Sequence, residues 1–228
     1  MTSIAQPQLG VLQREPSEGP RRALNILVAA IGLLLTAPLM AAIAAAIKLT
    51  SRGPIFYTQM RIGIDRREPG VPPGNSRRQS DCGGKPFRIY KFCTMTPAKA
   101  ATTHEVWASP DDPRVTALGR ILRLYRLDEL PQLVNVLRGE MNVVGPRPEQ
   151  PTIFARLRQQ VDRYGMRQRV RPGITGWAQV NQSYDTSVDS VRRKVEFDLE
   201  YIERQSVFED VRILMRTVPV MLGNKGAW

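Results

Sequence analysis

Residues 23–47 read ALNILVAAIGLLLTAPLMAAIAAAI, a run of 25 residues without a charged side chain. As an α-helix this run would be about 37 Å long, enough to cross a hydrocarbon core of about 30 Å. A cleaved signal peptide is a poor match, because the apolar run is too long and about 20 residues precede it. The run therefore predicts a membrane-embedded helix.

The flanks of this run leave its topology open. Both ends carry basic residues, namely Arg21, Arg22, Lys48 and Arg52, so the positive-inside rule favours neither orientation. Pro38 removes a backbone hydrogen bond, and a bend is expected near Ala37–Pro38. The residues alone are equally compatible with a kinked single span and with a hairpin that enters and leaves by the cytoplasmic face.

Composition narrows the chemistry. Among 228 residues, Lys plus Arg is 33 and Asp plus Glu is 21, a formal charge of +12. Such an excess attracts polyanions, which include nucleic acid, anionic lipid and phosphorylated substrates. Cys82 and Cys93 match no metal or redox spacing, and His104 is the single histidine. A catalytic acid, base or nucleophile is therefore expected to be a carboxylate.

The rest of the chain predicts a small hairpin and several helices. Residues 1–20 are typical of a flexible tail, and the Pro-, Gly- and Arg-rich residues 65–84 predict a loop between strands at Ile55–Thr58 and Phe87–Phe92. Thr116 could cap a helix. Two further helices are marked by apolar stripes, one of Val188, Val191, Val195, Leu199 and Ile202, the other of Phe208, Val211, Leu214, Met215 and Val218. The stripes suit either a core or a membrane interface.

The stretch that suggests chemistry runs from Arg120 to Glu149. Pro131 favours a helix that begins close to Asp128, and Gly139 is a plausible stop. The buried face of that helix is expected to comprise Leu130, Leu133, Val134 and Leu137. Adjacent carboxylates at a helix start could simply be capping residues.

Fixed arginines around Asp128 and Glu129 favour a diphosphate site. Arg120, Arg123 and Arg126 recur at a spacing of three, Arg147 lies between two prolines, and Arg169 and Arg171 precede Pro172–Gly173. Guanidinium groups bind phosphate oxygens, while a carboxylate can hold a divalent cation or attack phosphorus. A solvated basic surface that binds RNA or lipid explains the arginines but gives the rigid Pro-Gly segments no role.

At this point the sequence resembles the bacterial sugar transferase family, the small monotopic polyprenyl-phosphate hexose-1-phosphate transferases. Six segments carry the resemblance in the family's order and cover nearly all of residues 22–222: GPIFY at 53–57, KPFRIYKF at 85–92, DPRVT at 112–116, LDELPQL at 127–133, VGPRP at 144–148 and RPGITGWAQVN at 171–181. Three departures stand out: Cys93 replaces the family's usual Arg, the 65–84 loop is longer than usual, and Asn181-Gln182 replaces Asn-Gly.

The resemblance implies roles for particular residues. Asp128 would be the nucleophile that attacks the phosphorus bearing the sugar and expels UMP, after which polyprenyl phosphate attacks the intermediate. Glu129 would act with Asp128 at a Mg²⁺ (or Mn²⁺) ion. Phosphate-binding roles would fall to Lys91, Arg123, Arg147 and Arg171. The apolar helix would be re-entrant, broken at Ala37–Pro38.

The sequence thus predicts an α+β, predominantly α-helical monotopic membrane protein with a re-entrant helix, interfacial helices and a small β-hairpin. Its parts would be a tail (1–20), the membrane helix (21–50) and a cytoplasmic catalytic domain (51–228). The partners would be a UDP-sugar, undecaprenyl phosphate and the bilayer, without nucleic acid, at the bacterial inner membrane; a homodimer is compatible with this. The alternatives are a non-catalytic membrane-anchored binding protein and a scaffolding subunit.

Overall fold

A computed structural model describes residues 18–66, 83–96, 112–182 and 187–222. Most of the predicted tail and most of the 65–84 loop lie outside this range. In chain order the elements are α1 (Glu18–Thr50), β1 (Phe56–Ile62), β2 (Pro86–Phe92), α2 (Ala117–Leu124), a 3₁₀ turn (Leu127–Glu129), α3 (Gln132–Leu137), β3 (Asn142–Val144), α4 (Pro151–Gln160), a second 3₁₀ segment (Tyr164–Arg169), β4 (Gly173–Thr175), α5 (Trp177–Asn181), α6 (Val188–Arg204) and α7 (Val207–Leu222).

The prediction of a mostly helical fold with a small hairpin is confirmed. β1 and β2 pair antiparallel, with Phe56 opposite Phe92 and Ile62 opposite Pro86. A second, parallel pair was not predicted: β3 and β4 are three residues each, with Asn142 opposite Gly173. Strands this short carry almost no periodicity, so they were not predictable from the residue pattern.

The apolar run lies in α1, which begins at Glu18, three residues before the predicted start. It is the one helix among the described residues whose length and composition suit a membrane crossing. Ala37 and Pro38 both lie inside α1, which is helical on either side of them, so the predicted break stays a prediction. The middle of the helix is exposed, with Leu34 76% and Leu35 74% accessible.

Both ends of α1 pack against the rest of the fold. Near its start, Arg21 pairs with Asp210 at 3.0 Å and the Asn25 side chain accepts a hydrogen bond from the Val143 amide. Towards its end, Ile43 and Ile47 are buried in a cluster that includes Phe92 and Leu122. The folded body therefore contacts α1 near both ends, and between them Ala29 is buried in a cluster with Phe87 and Leu133.

The predicted helix stripes divide into one that is buried and one that is not. Val191, Val195, Leu199 and Ile202 of α6 belong to the largest core cluster, together with Phe154 and Tyr164. In α7 Asp210 and Ile213 are buried and Leu214 packs half-buried against the core, whereas Phe208, Val211, Met215 and Val218 are exposed. The core alternative is thus wrong for most of the α7 stripe, because that face of the helix is turned away from the body.

The predicted cap of α2 and the predicted end of α3 are confirmed. Thr116 caps α2 by accepting a hydrogen bond from the Gly119 amide, and Gly139 follows α3 at φ 78°. The predicted buried face of α3 is wrong in detail. The buried residues are Gln132, Leu133, Asn135 and Val136, whereas Leu130 and Val134 are half-buried and Leu137 is exposed. α3 is packed by α1 on one side and β2 on another, so two polar residues are enclosed.

Candidate active site

The adjacent carboxylates Asp128 and Glu129 lie in the 3₁₀ turn that precedes α3. Both are buried, with exposures of 8% and 5%. Arg126, immediately before the turn, adopts a left-handed conformation with φ 53°, which is uncommon for a residue with a side chain. Such a backbone persists only where the surrounding structure stabilises it, and it occurs often at functional sites. The left-handed Arg126 and the 3₁₀ turn thus place both carboxylates in one short segment.

Cations from three other places in the sequence converge on Glu129. The Lys91 ammonium, from β2, lies 2.6 Å from Glu129 Oε1. Arg147 Nη2, from the segment after β3, lies 2.9 Å from the same oxygen, and Arg126 Nη1 lies 3.9 Å from Oε2. Asp128 is less closely paired, since its Oδ2 is 3.8 Å from the Lys91 ammonium. Glu129 is therefore the electrostatic centre of the site, and Asp128 stands at its edge.

These environments shift the pKa values of the two carboxyl groups in opposite directions. Burial raises the pKa of Asp128 above its ordinary value, and the nearby Lys91, Arg147 and Arg123 charges offset this only in part. Burial also acts to raise the pKa of Glu129, but Arg147, Lys91 and Arg126 outweigh it and hold that pKa well below the ordinary value. Glu129 is thus firmly ionised, whereas the charge on Asp128 is poorly stabilised, which favours reactivity.

Asn135 fixes the strand that carries Lys91, a role that was not predicted from the sequence. Its side chain accepts a hydrogen bond from the Tyr90 amide at 3.1 Å and donates one to the Arg88 carbonyl at 2.7 Å. It therefore occupies the free edge of β2 as a neighbouring strand would, while its own helix, α3, follows directly from the carboxylate turn. The only sign of this role in the sequence is a polar residue within a short apolar helix. Periodicity alone would place such a residue on the exposed face.

Arg147 is fixed by the backbone around it. The Gly145 amide donates to Thr175, and the Gly173 amide donates to Pro146, so β4 holds the segment that begins at Gly145. A Cβ built on Gly173 would lie only 2.1 Å from the Gly145 nitrogen, so this close approach requires glycine. Arg167 Nη2 also donates to the Arg147 carbonyl at 3.2 Å. Pro-Arg-Pro stiffness and these bonds together aim the guanidinium at Glu129.

Four of the six predicted site residues come together: Lys91, Asp128, Glu129 and Arg147. Arg123 is close enough for its charge to lower the pKa of Asp128. Arg171 instead donates to the Gly139 carbonyl at 3.1 Å and pairs with Glu18 at 3.2 Å, at the start of α1. These contacts give Arg171 a role in holding the helix, and no contact of Arg171 with the carboxylate pair is seen among the described residues.

The carboxylate pair fits a divalent cation only with help from a substrate. Among the described residues, no group of three or more His, Cys, Asp or Glu side chains could hold a metal ion. Mg²⁺ commonly uses one or two carboxylates and completes its shell with water and substrate phosphates. Asp128 and Glu129 supply such a partial set, although Oε1 of Glu129 is already shared by Lys91 and Arg147.

Comparison with known proteins supplies the context for this geometry. The profile of the bacterial sugar transferase family matches residues 17–224. The chain is 40% identical over 212 residues to the UDP-glucose:undecaprenyl-phosphate glucose-1-phosphate transferase of Escherichia coli, covering 91% of this chain and 41% of that protein. It is 39% identical to the UDP-N-acetylgalactosamine-undecaprenyl-phosphate N-acetylgalactosaminephosphotransferase of Aeromonas hydrophila, over 98% of this chain and 49% of that protein.

A shorter relative matches along most of its length. The exopolysaccharide production protein ExoY of Rhizobium meliloti is 32% identical over 226 residues, which cover 91% of this chain and 88% of that protein. By contrast, the chain spans less than half the length of the Escherichia coli and Aeromonas hydrophila relatives. The family match at residues 17–224 spans all of the described residues.

Proposed function

The chain belongs to the bacterial sugar transferase family, and from this premise we propose that it transfers a sugar-1-phosphate from a UDP-sugar to polyprenyl phosphate and releases UMP. The transfer would prime the synthesis of a surface glycan or exopolysaccharide. The observation that carries the proposal is the incompletely paired Asp128 beside the fully paired Glu129, within a cluster of Lys91, Arg126 and Arg147.

This arrangement suits a displacement at phosphorus in two steps. A carboxylate oxygen of Asp128 would attack the phosphorus that bears the sugar. The bond from that phosphorus to the UMP oxygen breaks, and UMP leaves with the electron pair. A phosphate oxygen of the polyprenyl phosphate would then attack the resulting acyl-phosphate, and the Asp128 carboxylate would be released unchanged. The relatives' names, which specify UDP-sugars and undecaprenyl phosphate, support this choice of donor and acceptor.

The cations around Glu129 suit binding of the diphosphate. The Lys91 ammonium has three donors and the Arg147 guanidinium five, so each can hold Glu129 and still contact a phosphate oxygen. A Mg²⁺ ion held by Asp128 and Glu129 would neutralise phosphate charge. Turnover is therefore expected to require Mg²⁺ or Mn²⁺, and full activity in excess chelator would contradict the metal assignment.

We further propose that α1 is re-entrant, with the catalytic domain on the cytoplasmic face of the inner membrane. Arg21 and Ile47 are about 39 Å apart along the helix, yet both ends pack on the same folded body. A straight crossing would carry one end away from that body. The exposed α7 residues and Ile121 and Tyr125 of α2 suit an interfacial position.

Topology can be tested by cysteine labelling in intact cells, on a background that lacks Cys82 and Cys93. Single cysteines placed before Arg21 and after Lys48 should both resist a membrane-impermeant reagent from outside. Labelling of the first site from outside would show an ordinary span and contradict the re-entrant arrangement.

The function itself is tested by UMP release. Purified protein in nanodiscs would be given polyprenyl phosphate and a panel of UDP-sugars. Release of UMP with at least one sugar is expected. No release with any sugar, together with unaltered lipid binding by an Asp128→Asn variant, would favour the non-catalytic binding or scaffolding alternative.

A further inference from the structure

A cavity of about 130 Å³ opens beside the carboxylate turn and plays no part in the mechanism above. Arg126 and Glu129 line its polar side. The rest of the wall is largely apolar and comes from the end of the carboxylate turn, α3, β4, α5 and the end of α7. It includes Leu130, Leu133, Ile174, Val180, Val220 and Met221. The cavity therefore joins an apolar interior to the charged centre of the site.

Much of the polarity in the wall is already satisfied within the protein. The hydroxyls of Thr175 and Thr217, which both line the cavity, bond to each other at 2.8 Å, and Gln179 Nε2 donates to the Ile174 carbonyl. Gln179 Oε1 is the exception, since it is buried and has no hydrogen-bond partner among the described residues. A ligand of this space thus gains mainly from burying apolar surface. An apolar cavity of about 150 Å³ accommodates benzene, so this one suits an apolar group of about five or six carbons.

The cavity also lies next to surfaces that a membrane would cover. A Cβ built on Gly32, in the middle of α1, would lie 3.1 Å from Leu133 Cδ1, so Leu133 separates the apolar helix from the cavity. On the other side, Val220 and Met221 follow the exposed Met215 and Val218 along α7. The part of α7 that lines the cavity therefore directly follows the exposed part along which a lipid chain would lie.

We propose that this cavity holds the first isoprene unit of the polyprenyl phosphate acceptor, with the acceptor phosphate at the mouth beside Arg126. The inference rests on the proposed function and specifies where the acceptor binds. A branched five-carbon unit matches the size and apolar walls of the cavity. With that unit buried, the phosphate oxygen faces the Asp128–Glu129 turn, from which it can attack the phosphorus of the acyl-phosphate and release the carboxylate.

Val220→Phe fills the cavity from the end of α7 and provides the test. Val188→Phe makes the same change at the start of α6, away from the proposed lipid path, where Val188 is 40% accessible and does not line the cavity. With wild-type protein, UDP-sugar alone should release about one UMP per site. Val220→Phe should keep this burst within about twofold, and should raise the KM for polyprenyl phosphate by about tenfold or more, since small changes in an apolar pocket alter binding by that order. Val188→Phe should change neither quantity.

The outcomes separate the two proposals. An acceptor KM for Val220→Phe within about twofold of wild type would overturn the cavity assignment, and so would loss of the burst in Val220→Phe alone, which would indicate a site for the donor sugar. Absence of the burst from wild type under active turnover would contradict the two-step function, and the inference would fall with it.

A second measurement avoids dependence on the folding of a variant. A polyprenyl phosphate analogue with a photoreactive diazirine on its first isoprene unit would be irradiated with the wild-type protein. Labelling is expected on peptides that contain residues 174–180 or 217–221. Labelling confined to α1 would overturn the proposal.

Discussion

Two buried charge clusters lie at opposite ends of the Arg147–Glu149 segment, and they differ in how completely the charges are paired. In the first, Glu129 receives Lys91 and Arg147, but Asp128 has its cation at 3.8 Å and a side chain that is 12% exposed. In the second, Arg167 bonds Asp198 at 2.6 Å, with side-chain exposures of 0% and 2%, and Glu149 receives Lys194 at 2.9 Å.

The pKa directions alone do not separate these clusters. Burial raises the pKa of Asp198 as it raises that of Asp128, in each case against the pull of nearby cations. The difference lies in geometry: Asp198 is closed in by a direct ion pair, whereas Asp128 is not. A fully paired buried cluster holds a fold together, and a buried carboxylate left partly unpaired is available for chemistry.

The largest expected effect is from Asp128→Asn. Loss of the nucleophile should reduce turnover by at least ~10³-fold, about 4 kcal/mol in activation free energy. Trapping with a radiolabelled UDP-sugar should give a hydroxylamine-labile acyl-phosphate in wild type and none in the variant. The exposed Asp189 provides the control Asp189→Asn, which should retain activity. A label that maps to another residue would contradict the assignment.

In the second cluster the largest change should be in stability. Arg167→Met leaves Asp198 buried without its partner, which should lower the free energy of unfolding by about 3–5 kcal/mol. Denaturant unfolding in detergent would measure it. Arg192→Met removes an exposed ion pair with Asp189 and should cost less than about 1 kcal/mol. Equal stability of the two variants would show that the Arg167 cluster does not hold the fold.

Acid should weaken the second cluster through Glu149. Burial acts to raise the pKa of Glu149, but Lys194 and Arg167 together lower it to about 2. Because the folded value lies below the ordinary one, the stabilisation is present above pH 4.5 and is lost as pH falls towards about 2. As pH falls through that window, the free energy of unfolding should therefore decrease less in Glu149→Gln than in wild type, and the difference should reach about 3 kcal/mol. The same decrease in the free energy of unfolding for wild type and Glu149→Gln across these pH values would contradict this.

The smallest expected effect is from Glu129→Gln. The amide keeps the size of the side chain but loses the charge that holds Lys91 and Arg147, so turnover should fall by only about 10- to 100-fold. The acyl-phosphate should still form. If the loss equalled that of Asp128→Asn and labelling disappeared, Glu129 would be a candidate for the nucleophile, and the contrast between paired and unpaired carboxylates would fail.

Local features were predictable because they depend on neighbours in the chain. The cap at Thr116, the stop at Gly139 and the hairpin of β1 and β2 all follow from short-range geometry, and so does the adjacency of Asp128 and Glu129. The family motifs added Lys91 and Arg147 to the site residues that were predictable. By contrast, the phosphate-binding role of Arg171 rested on a motif and stays a prediction, and the structure adds that Arg171 holds the start of α1.

By itself, then, the sequence determined the long apolar helix, the hairpin, the carboxylate pair and the family. Only the tertiary structure decided which charges are paired, that Asn135 completes the edge of β2, that Arg167 and Asp198 are enclosed, and that most of the α7 stripe is exposed. The physical reason is that hydrogen bonding and desolvation depend on groups tens of residues away in the chain. Periodicity indicates which face of a helix is apolar, but only packing decides what covers that face.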